Sequence, residues 1–223
     1  MGVKLFLIRH GQTEWNLEGR YQGSMDTDLT ETGKIQARLA KEYLEKVDFS
    51  NIYSSPLRRA IDTAKIIADG RQGDIKIKEE LKELNFGKWE GLKFGEIDDK
   101  FHEDYQDWLS DPFNNKPTGG ESFKQLLKRV IKGIDEIIAE NEDGSDVAVV
   151  AHGGVIVALL VHWLKIPKDR WRSVIQRQSA INVVVIDNGF PYISQINFTG
   201  HLGKIHETKE DKVIEIYTKL KKD

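Results

Sequence analysis

The sequence predicts a three-layer α/β/α sandwich with a mostly parallel central sheet, and three observations carry that prediction. Two short apolar runs, Leu5 to Ile8 and Val147 to Ala151, have the composition of strands buried on both faces. Each run ends abruptly in histidine and glycine, as Arg9-His10-Gly11 and as His152-Gly153-Gly154. Between and around them, strand-like and helix-like stretches alternate, as they do when parallel strands are joined by helical crossovers. In an open α/β sheet, ligands bind beyond the carboxyl ends of the strands. The two histidines are therefore expected above adjacent strands, with rings no more than about 8 Å apart if both are to touch one small ligand.

In chain order, Gln12 to Asp28 is a polar, glycine-bearing loop. Thr30 caps a helix running to about Val47, with Ile35, Leu39, Tyr43 and Leu44 turned inward. Asn51 to Ser54 forms a second strand. Ser55-Pro56 opens the next helix with proline in its first turn, and that helix carries Arg58 and Arg59 to about Ala68. Ile75 to Ile77 alternates like an edge strand. Residues 81–92 hold too many glycines for a long helix. Phe94 to Ser110 reads as a pair of short acidic helices with Phe101, Tyr105 and Trp108, followed by a Pro/Asn/Gly-rich loop from Asp111 to Gly120. Together, 94–120 is expected to be a lid-like insertion.

Glu121 begins the longest helix, to about Asn141, with Phe123, Leu126, Leu127, Val130, Ile134, Ile137 and Ile138 on one stripe. Val155 to Leu164 is apolar nearly all round and is expected as a buried helix. Ile181 to Ile186 and Tyr192 to Ile196 flank Asp187-Asn188-Gly189 as an antiparallel hairpin. A surface helix is expected over 207–221, and the whole of 1–223 as one domain.

Composition narrows the function. Lysine and arginine number 33 against 36 aspartates and glutamates, a formal net charge of −3. That balance argues against a nucleic-acid or anionic-membrane binder, which needs a concentrated basic face. No run reaches the roughly 18 apolar residues of a membrane span. The chain enters a strand at once without a signal peptide, so the expected location is cytoplasmic. With no cysteine, disulfides, thiolate metal sites and a cysteine nucleophile are excluded. No dense set such as His-x-x-x-His appears, so neither metal nor cofactor is expected. Trp89, Trp108, Trp163 and Trp171 are expected to pack. His102 and His201 read as solvated, and His162 as a core or helix-face group.

Arg9 sets a fixed cation beside a potential nucleophile, His10, and Gly11 lets the backbone bend closely around them. Either terminal histidine alone serves equally well as a satisfied structural group. Helix-borne arginine after the second strand adds to the two histidines a pocket for a dianion, in which one imidazole attacks, another donates hydrogen bonds and guanidinium forks hold the oxygens. Arg58 and Arg59 lie about 100° apart on their helix, so only one of them points inward. Imidazole is a good nucleophile when neutral, and its ordinary pKa of about 6.5 leaves it mostly so at pH 7.

A longer set of motifs runs in order over residues 4–160: Arg9-His10-Gly11, Asn16, Gln22-Gly23, Leu29-Thr30-x-x-Gly33, Ser55-x-Leu57-x-Arg59-Ala60-x-x-Thr63-Ala64, Leu81-x-Glu83, Gly87-x-Trp89-Glu90-Gly91, Gly120-Glu121-Ser122 and His152-Gly153. This set resembles the histidine phosphatase (phosphoglycerate mutase-like) superfamily. The resemblance implies that superfamily's fold and a metal-independent phosphomonoesterase acting on small phosphate esters. It implies that His10 is the nucleophile that becomes phosphohistidine and that Arg9, Arg59 and His152 bind the phosphoryl oxygens. Asn16, Gln22, Gly23 and Gly153 would line the substrate, and Glu83 would protonate the leaving alkoxide. The family's arginine directly precedes the alanine, which selects Arg59 over Arg58.

Within the superfamily, the mutase branch carries a longer insertion between its acid and its Glu-Ser segment, and the short span from Glu83 to Glu121 favours hydrolysis. Phe86-Gly87-x-Trp89-Glu90-Gly91 is similar to the α-ribazole-phosphate and broad-specificity phosphatases. Asn197-Phe198-Thr199-Gly200-His201-Leu202 is similar to metal-independent phosphoserine phosphatases, although that branch has histidine where this chain has Phe86. A sugar- or glycerate-phosphate phosphatase, a mutase and a non-catalytic phospho-ligand binder are the alternatives. Phe86, Trp108 and Phe113 are expected to select the leaving group. A monomer or homodimer is expected.

Overall fold

The computed structural model describes residues 2–207. Its sheet has six strands in the order β3-β2-β4-β1-β5-β6, with β1 Val3–Arg9, β2 Phe49–Ser54, β3 Ile75–Ile77, β4 Asp146–Ala151, β5 Ile181–Asp187 and β6 Phe190–Phe198. β1, β2, β3 and β4 run parallel, while β5 and β6 are the antiparallel hairpin. β1 and β4 lie at the centre and are covered on both faces, so each can be apolar at every position.

One face of the sheet carries Phe6, Ile8, Ile52, Ala148, Val150 and Ile181, packed against α2 (Glu31–Tyr43) and α3 (Arg58–Ala68). The alternate residues Leu5, Leu7, Tyr53, Val147, Val149 and Val184 face α5 (Phe123–Ala139) and α6 (Gly153–Trp163). These are the three layers predicted from the sequence. A side chain of Leu or Val size contributes about 1.5–3 kcal/mol when fully buried, so the strand alternation largely decides which helix covers which face. α5 uses the expected stripe, with Phe123, Leu126, Val130, Ile134 and Ile137 buried. Leu127 and Ile138 flank it half-buried.

Several boundaries and faces differ from expectation. α2 buries Gly33, Gln36, Ala37 and Ala40, while Ile35 and Tyr43 stand 39% and 48% exposed. Small residues win this interface because they let α2 approach α3, which answers with Ala60 and Ala64. α3 begins at Arg58, two residues past Pro56, with Leu57 as an extended N-cap, and Ser55 ahead of it meets His152 instead of entering the helix. α4 (Phe94–Ser110) breaks at Phe101, where φ −137° and ψ 38° are not helical, giving the anticipated pair of short helices. α1 (Glu14–Glu18) is a single turn inside the first loop, capped by Thr13.

His201, expected in solvent, is half-buried, with its ring 5.6 Å from that of Tyr43, and burial lowers its pKa to about 4. His102 is exposed and paired with Asp98, and His162 lies on the open face of α6. Beyond its first residue, the helix expected over 207–221 lies outside the described residues. Among the described residues, no helix is long and apolar enough to cross a membrane.

Candidate active site

The site grows from a register. β1 and β4 pair in parallel with Ile8 opposite Val150 and Arg9 opposite Ala151, so His10 and His152 are the next residues off two neighbouring strand ends. The His10 N–H still donates to the Ala151 carbonyl at 3.0 Å. Their ring centroids are 5.2 Å apart, well inside the limit set by the sequence argument. Gly11 then turns the chain beneath α2: a Cβ there would lie 2.4 Å from the Gly33 carbonyl oxygen, too close for any other residue.

His10 is 2% exposed, and its Nδ1 lies 2.7 Å from the Gly11 carbonyl oxygen. A carbonyl only accepts, so Nδ1 carries the proton and Nε2 keeps its lone pair. Burial first, then the charges of Arg59 and Arg9, hold the ring's pKa well below the ordinary histidine value, against a small opposing effect of the Gly11 carbonyl. The ring is therefore a neutral imidazole with a free Nε2.

His152 is fully buried directly behind His10, with Nε2 2.7 Å from Ser55 Oγ. Its Nδ1 has no partner among the described residues. Its pKa is also pushed well down, by burial and then by Arg59. Arg59 enters from the first turn of α3 and is fully buried, gripped by the carbonyls of Gly23 and Met25, each at 2.7 Å. Burial lowers its pKa to about 10, with the charge of Glu83 opposing, so it remains a cation at neutral pH. Its Nε has no partner among the described residues. A buried guanidinium N–H and a buried imidazole nitrogen left open beside a second guanidinium, that of Arg9, form an anion receptor. Arg58 stays outside, exposed and paired with Asp28 at 3.1 Å.

Glu83 sits in the irregular stretch between β3 and α4, and its two carboxylate oxygens accept the backbone N–H groups of Leu84 at 2.8 Å and Gly154 at 3.0 Å. It thereby faces the N-terminus of α6. Arg9, His10, Asn16, Gln22, Gly23, Arg59, Glu83 and Gly153 all line one cavity of about 380 Å³. His152 is not itself in that lining, but its ring stands beside that of His10, with centroids 5.2 Å apart. Asn16 Oδ1 and Gln22 Oε1 are partly committed to Thr13, so both residues also brace the loop that carries Gly23.

The far end of the cavity is aromatic, formed by Trp15, Tyr21, Phe86, Phe94, Tyr105, Trp108 and Trp171. α4 thus supplies one wall. Phe113, expected on that wall, instead packs its ring 5.7 Å from Phe123, because the loop after α4 folds back onto α5.

Sequence reasoning missed several supports. The Gln176 carbonyl accepts from Arg9 Nη1, and its side-chain amide is paired both ways with Asn182, fixing the guanidinium's direction. Glu90 holds the loop that carries Gly23 by accepting the Ser24 N–H at 2.8 Å. Arg129 on α5 reaches the Glu83 backbone. Two local signals lie among these: Glu90 stands in the motif Gly87-x-Trp89-Glu90-Gly91, and the polar run Gln176 to Ser179 precedes a strand. Among the described residues, no group of three or more His, Asp or Glu is arranged to hold a metal ion.

The depressed histidines of the site, His10 and His152, make stability pH-dependent, and His201, lowered to about 4, acts in the same sense. Both rings of the site stay neutral when folded, whereas in the unfolded chain they titrate near 6.5. Above that value they contribute no slope. Below it the unfolded chain binds more protons, so stability is lost as pH falls toward the depressed folded values. We expect a loss of up to about 1.4 kcal/mol per ring per pH unit, read as a falling urea midpoint between about pH 7 and pH 5. A midpoint that rises on acidification would contradict neutral buried rings.

Comparison with known proteins agrees with this geometry. Residues 5–199 match the family model described as histidine phosphatase superfamily (branch 1). Phosphoserine phosphatase 1 of Hydrogenobacter thermophilus is 33% identical over 204 residues, covering 92% of this chain and 96% of the relative. The adenosylcobalamin/alpha-ribazole phosphatase of Salmonella typhimurium is 33% identical over 196 residues, covering 87% of this chain and 96% of that protein. Among solved structures, Bacillus stearothermophilus YhfR superposes with a TM-score of 0.85 at 31% identity, over 90% of this chain and 99% of its own. With the two strand-end histidines and the buried arginine in register, these matches establish that the chain belongs to the histidine phosphatase superfamily, branch 1.

Proposed function

We propose that the protein is a phosphomonoesterase that hydrolyses small phosphate esters through a phosphohistidine on His10, without a metal. The observation that carries this reading is the neutral His10 ring, its Nδ1–H tied to the Gly11 carbonyl and its Nε2 free beside two guanidinium groups. Nε2 attacks phosphorus and forms the P–N bond. The bond to the leaving oxygen breaks, and the Glu83 carboxyl passes its proton to that oxygen. Water then attacks the phosphorus, giving a proton back to Glu83, and the P–N bond breaks to restore His10 Nε2 and release phosphate.

Arg9, Arg59 and His152 Nδ1 stabilise the charge on the equatorial oxygens. Each preorganised donor of this kind is worth on the order of 10²–10³ in rate. The two arginines supply the positive charge that a metal ion would otherwise bring.

The aromatic end of the cavity supports an ester whose leaving group carries a flat ring, the class to which α-ribazole-5′-phosphate belongs. Of the residues lining the cavity, Glu83 alone has a carboxylate, so the ammonium group of phosphoserine finds no second anion there. This composition favours an aryl-bearing ester over an amino-acid ester.

Rapid quenching with ³²P-labelled p-nitrophenyl phosphate tests the central step. The expected result is an acid-labile, alkali-stable protein adduct that appears and decays within one turnover, unaffected by prior treatment with a chelator. Activity abolished by chelation and restored by a divalent ion would overturn the metal-free reading. Turnover without any adduct would remove His10 as nucleophile.

A further inference from the structure

The acid of the reaction proposed above stands on a stretch with little regular structure of its own. Between β3 and α4 the chain makes only two 3-10 turns, Glu79–Leu81 and Gly87–Trp89, with Glu83 between them. Yet three carbonyls of this stretch converge on one side chain of another element. Arg129 Nη1 donates to the Glu80 carbonyl at 2.8 Å and the Lys82 carbonyl at 2.7 Å, and Nη2 donates to the carbonyl of Glu83 itself at 2.9 Å.

The remaining two donors go to Glu121, Nε to Oε2 at 3.1 Å and Nη2 to Oε1 at 2.5 Å. Arginine has five N–H donors, and all five are used. Glu121 closes the other side. Its Oε1 accepts the Asn85 N–H at 3.0 Å, and its own N–H donates to the Asn85 carbonyl at 2.9 Å. α5 reaches this far because residue 133 is glycine, where a Cβ would lie 2.6 Å from the Glu80 Cβ.

From this geometry we propose that Arg129 and Glu121 are a positioning pair whose task is to aim the Glu83 carboxyl at the leaving-group oxygen. The proposal rests on the general-acid reading of Glu83. Neither residue lines the cavity, so neither touches substrate. Their effect is transmitted through the backbone on both sides of Glu83, whose carboxylate then reaches across to the Gly154 N–H at 3.0 Å. A displacement of about 1 Å at a proton donor is enough to cost on the order of 10² in rate. The demand is for a rigid planar fork, which lysine, with three donors on a flexible stem, does not provide.

The test compares an alkyl ester, n-propyl phosphate, with p-nitrophenyl phosphate, whose leaving group departs without a proton. Arg129→Met and Arg129→Lys are expected to lower kcat for the alkyl ester by about 10², with KM little changed, and to leave the aryl ester nearly untouched. Glu121→Gln should shift the two esters in the same sense by less. Placed on top of Glu83→Gln, Arg129→Met should add no further loss on the alkyl ester. Equal losses on both esters, full rescue by lysine, or losses that multiply in the double variant would overturn the proposal. If Arg129→Met does not fold, Arg129→Lys and Glu121→Gln carry the same comparison. Should Glu83→Gln itself fail to separate the two esters, the general-acid reading falls first. If it separates them and the Arg129 variants do not, only the clamp falls.

Discussion

His10→Ala is expected to lower kcat/KM for every phosphate ester by on the order of 10⁴–10⁶, the scale seen when a covalent nucleophile is removed. The loss should not depend on the leaving group, because the P–N bond must form whichever oxygen departs. Inorganic phosphate should still bind, since Arg59 keeps its hold on the Gly23 and Met25 carbonyls and the receptor it forms with Arg9 does not depend on the ring. Steady-state rates on two esters, the quench experiment and phosphate titration by calorimetry together check this. Retention of more than about one-hundredth of the activity, or of the labelled adduct, would move the nucleophile to another group. The variant should also lose part of the acid sensitivity of folding, because one of the three depressed rings is gone.

Glu83→Gln separates the chemistry of departure from the chemistry of attack. An alkoxide is a strong base, and expelling it unprotonated is costly, while nitrophenolate leaves readily. We expect a loss of about 10²–10⁴ on n-propyl phosphate, the range for a positioned proton donor, and a small effect on p-nitrophenyl phosphate where phosphoryl transfer limits both rates. Glutamine keeps the size of the side chain and can still accept the Leu84 N–H through its carbonyl oxygen, although the bond from Gly154 to the second oxygen is lost. An equal loss on both esters with a raised KM would mark Glu83 as a structural group.

Much of this site is legible without coordinates because it hangs on the ends of two central strands. Leu5 to Ile8 and Val147 to Ala151 are apolar throughout, so their burial follows from composition. Strands of that kind run parallel in an α/β sheet, so the residues just past their ends share one edge. Arg9, His10 and His152 could therefore be grouped before their 5.2 Å ring separation was known. Arg59 over Arg58 followed from the motif, and the structure gives the physical distinction: one is wholly buried among carbonyls, the other is paired in solvent with Asp28.

Where the reading went astray, local pattern was a poor guide to contact. Ile35 and Tyr43 fit an inward helical stripe, yet α2 turns Ala37 and Ala40 to its neighbours, because the gap to α3 admits only small side chains. Phe113 belongs to a segment whose neighbours face the cavity, but the turn after α4 carries it away to Phe123.

The sequence by itself determined the strand cores, the order of the motifs and the residue types gathered for a dianion. Only the tertiary structure decided which nitrogen of His10 is free, what holds Arg9 and what aims Glu83. The reason is range. Periodicity reports burial averaged along one element, whereas the Gln176 carbonyl on Arg9, Ser55 on His152 and Arg129 on the Glu83 backbone are each single hydrogen bonds between distant parts of the chain. A hydrogen bond fails within a few tenths of an ångström, so its partner is chosen by how the layers pack and leaves no mark on the residues beside it.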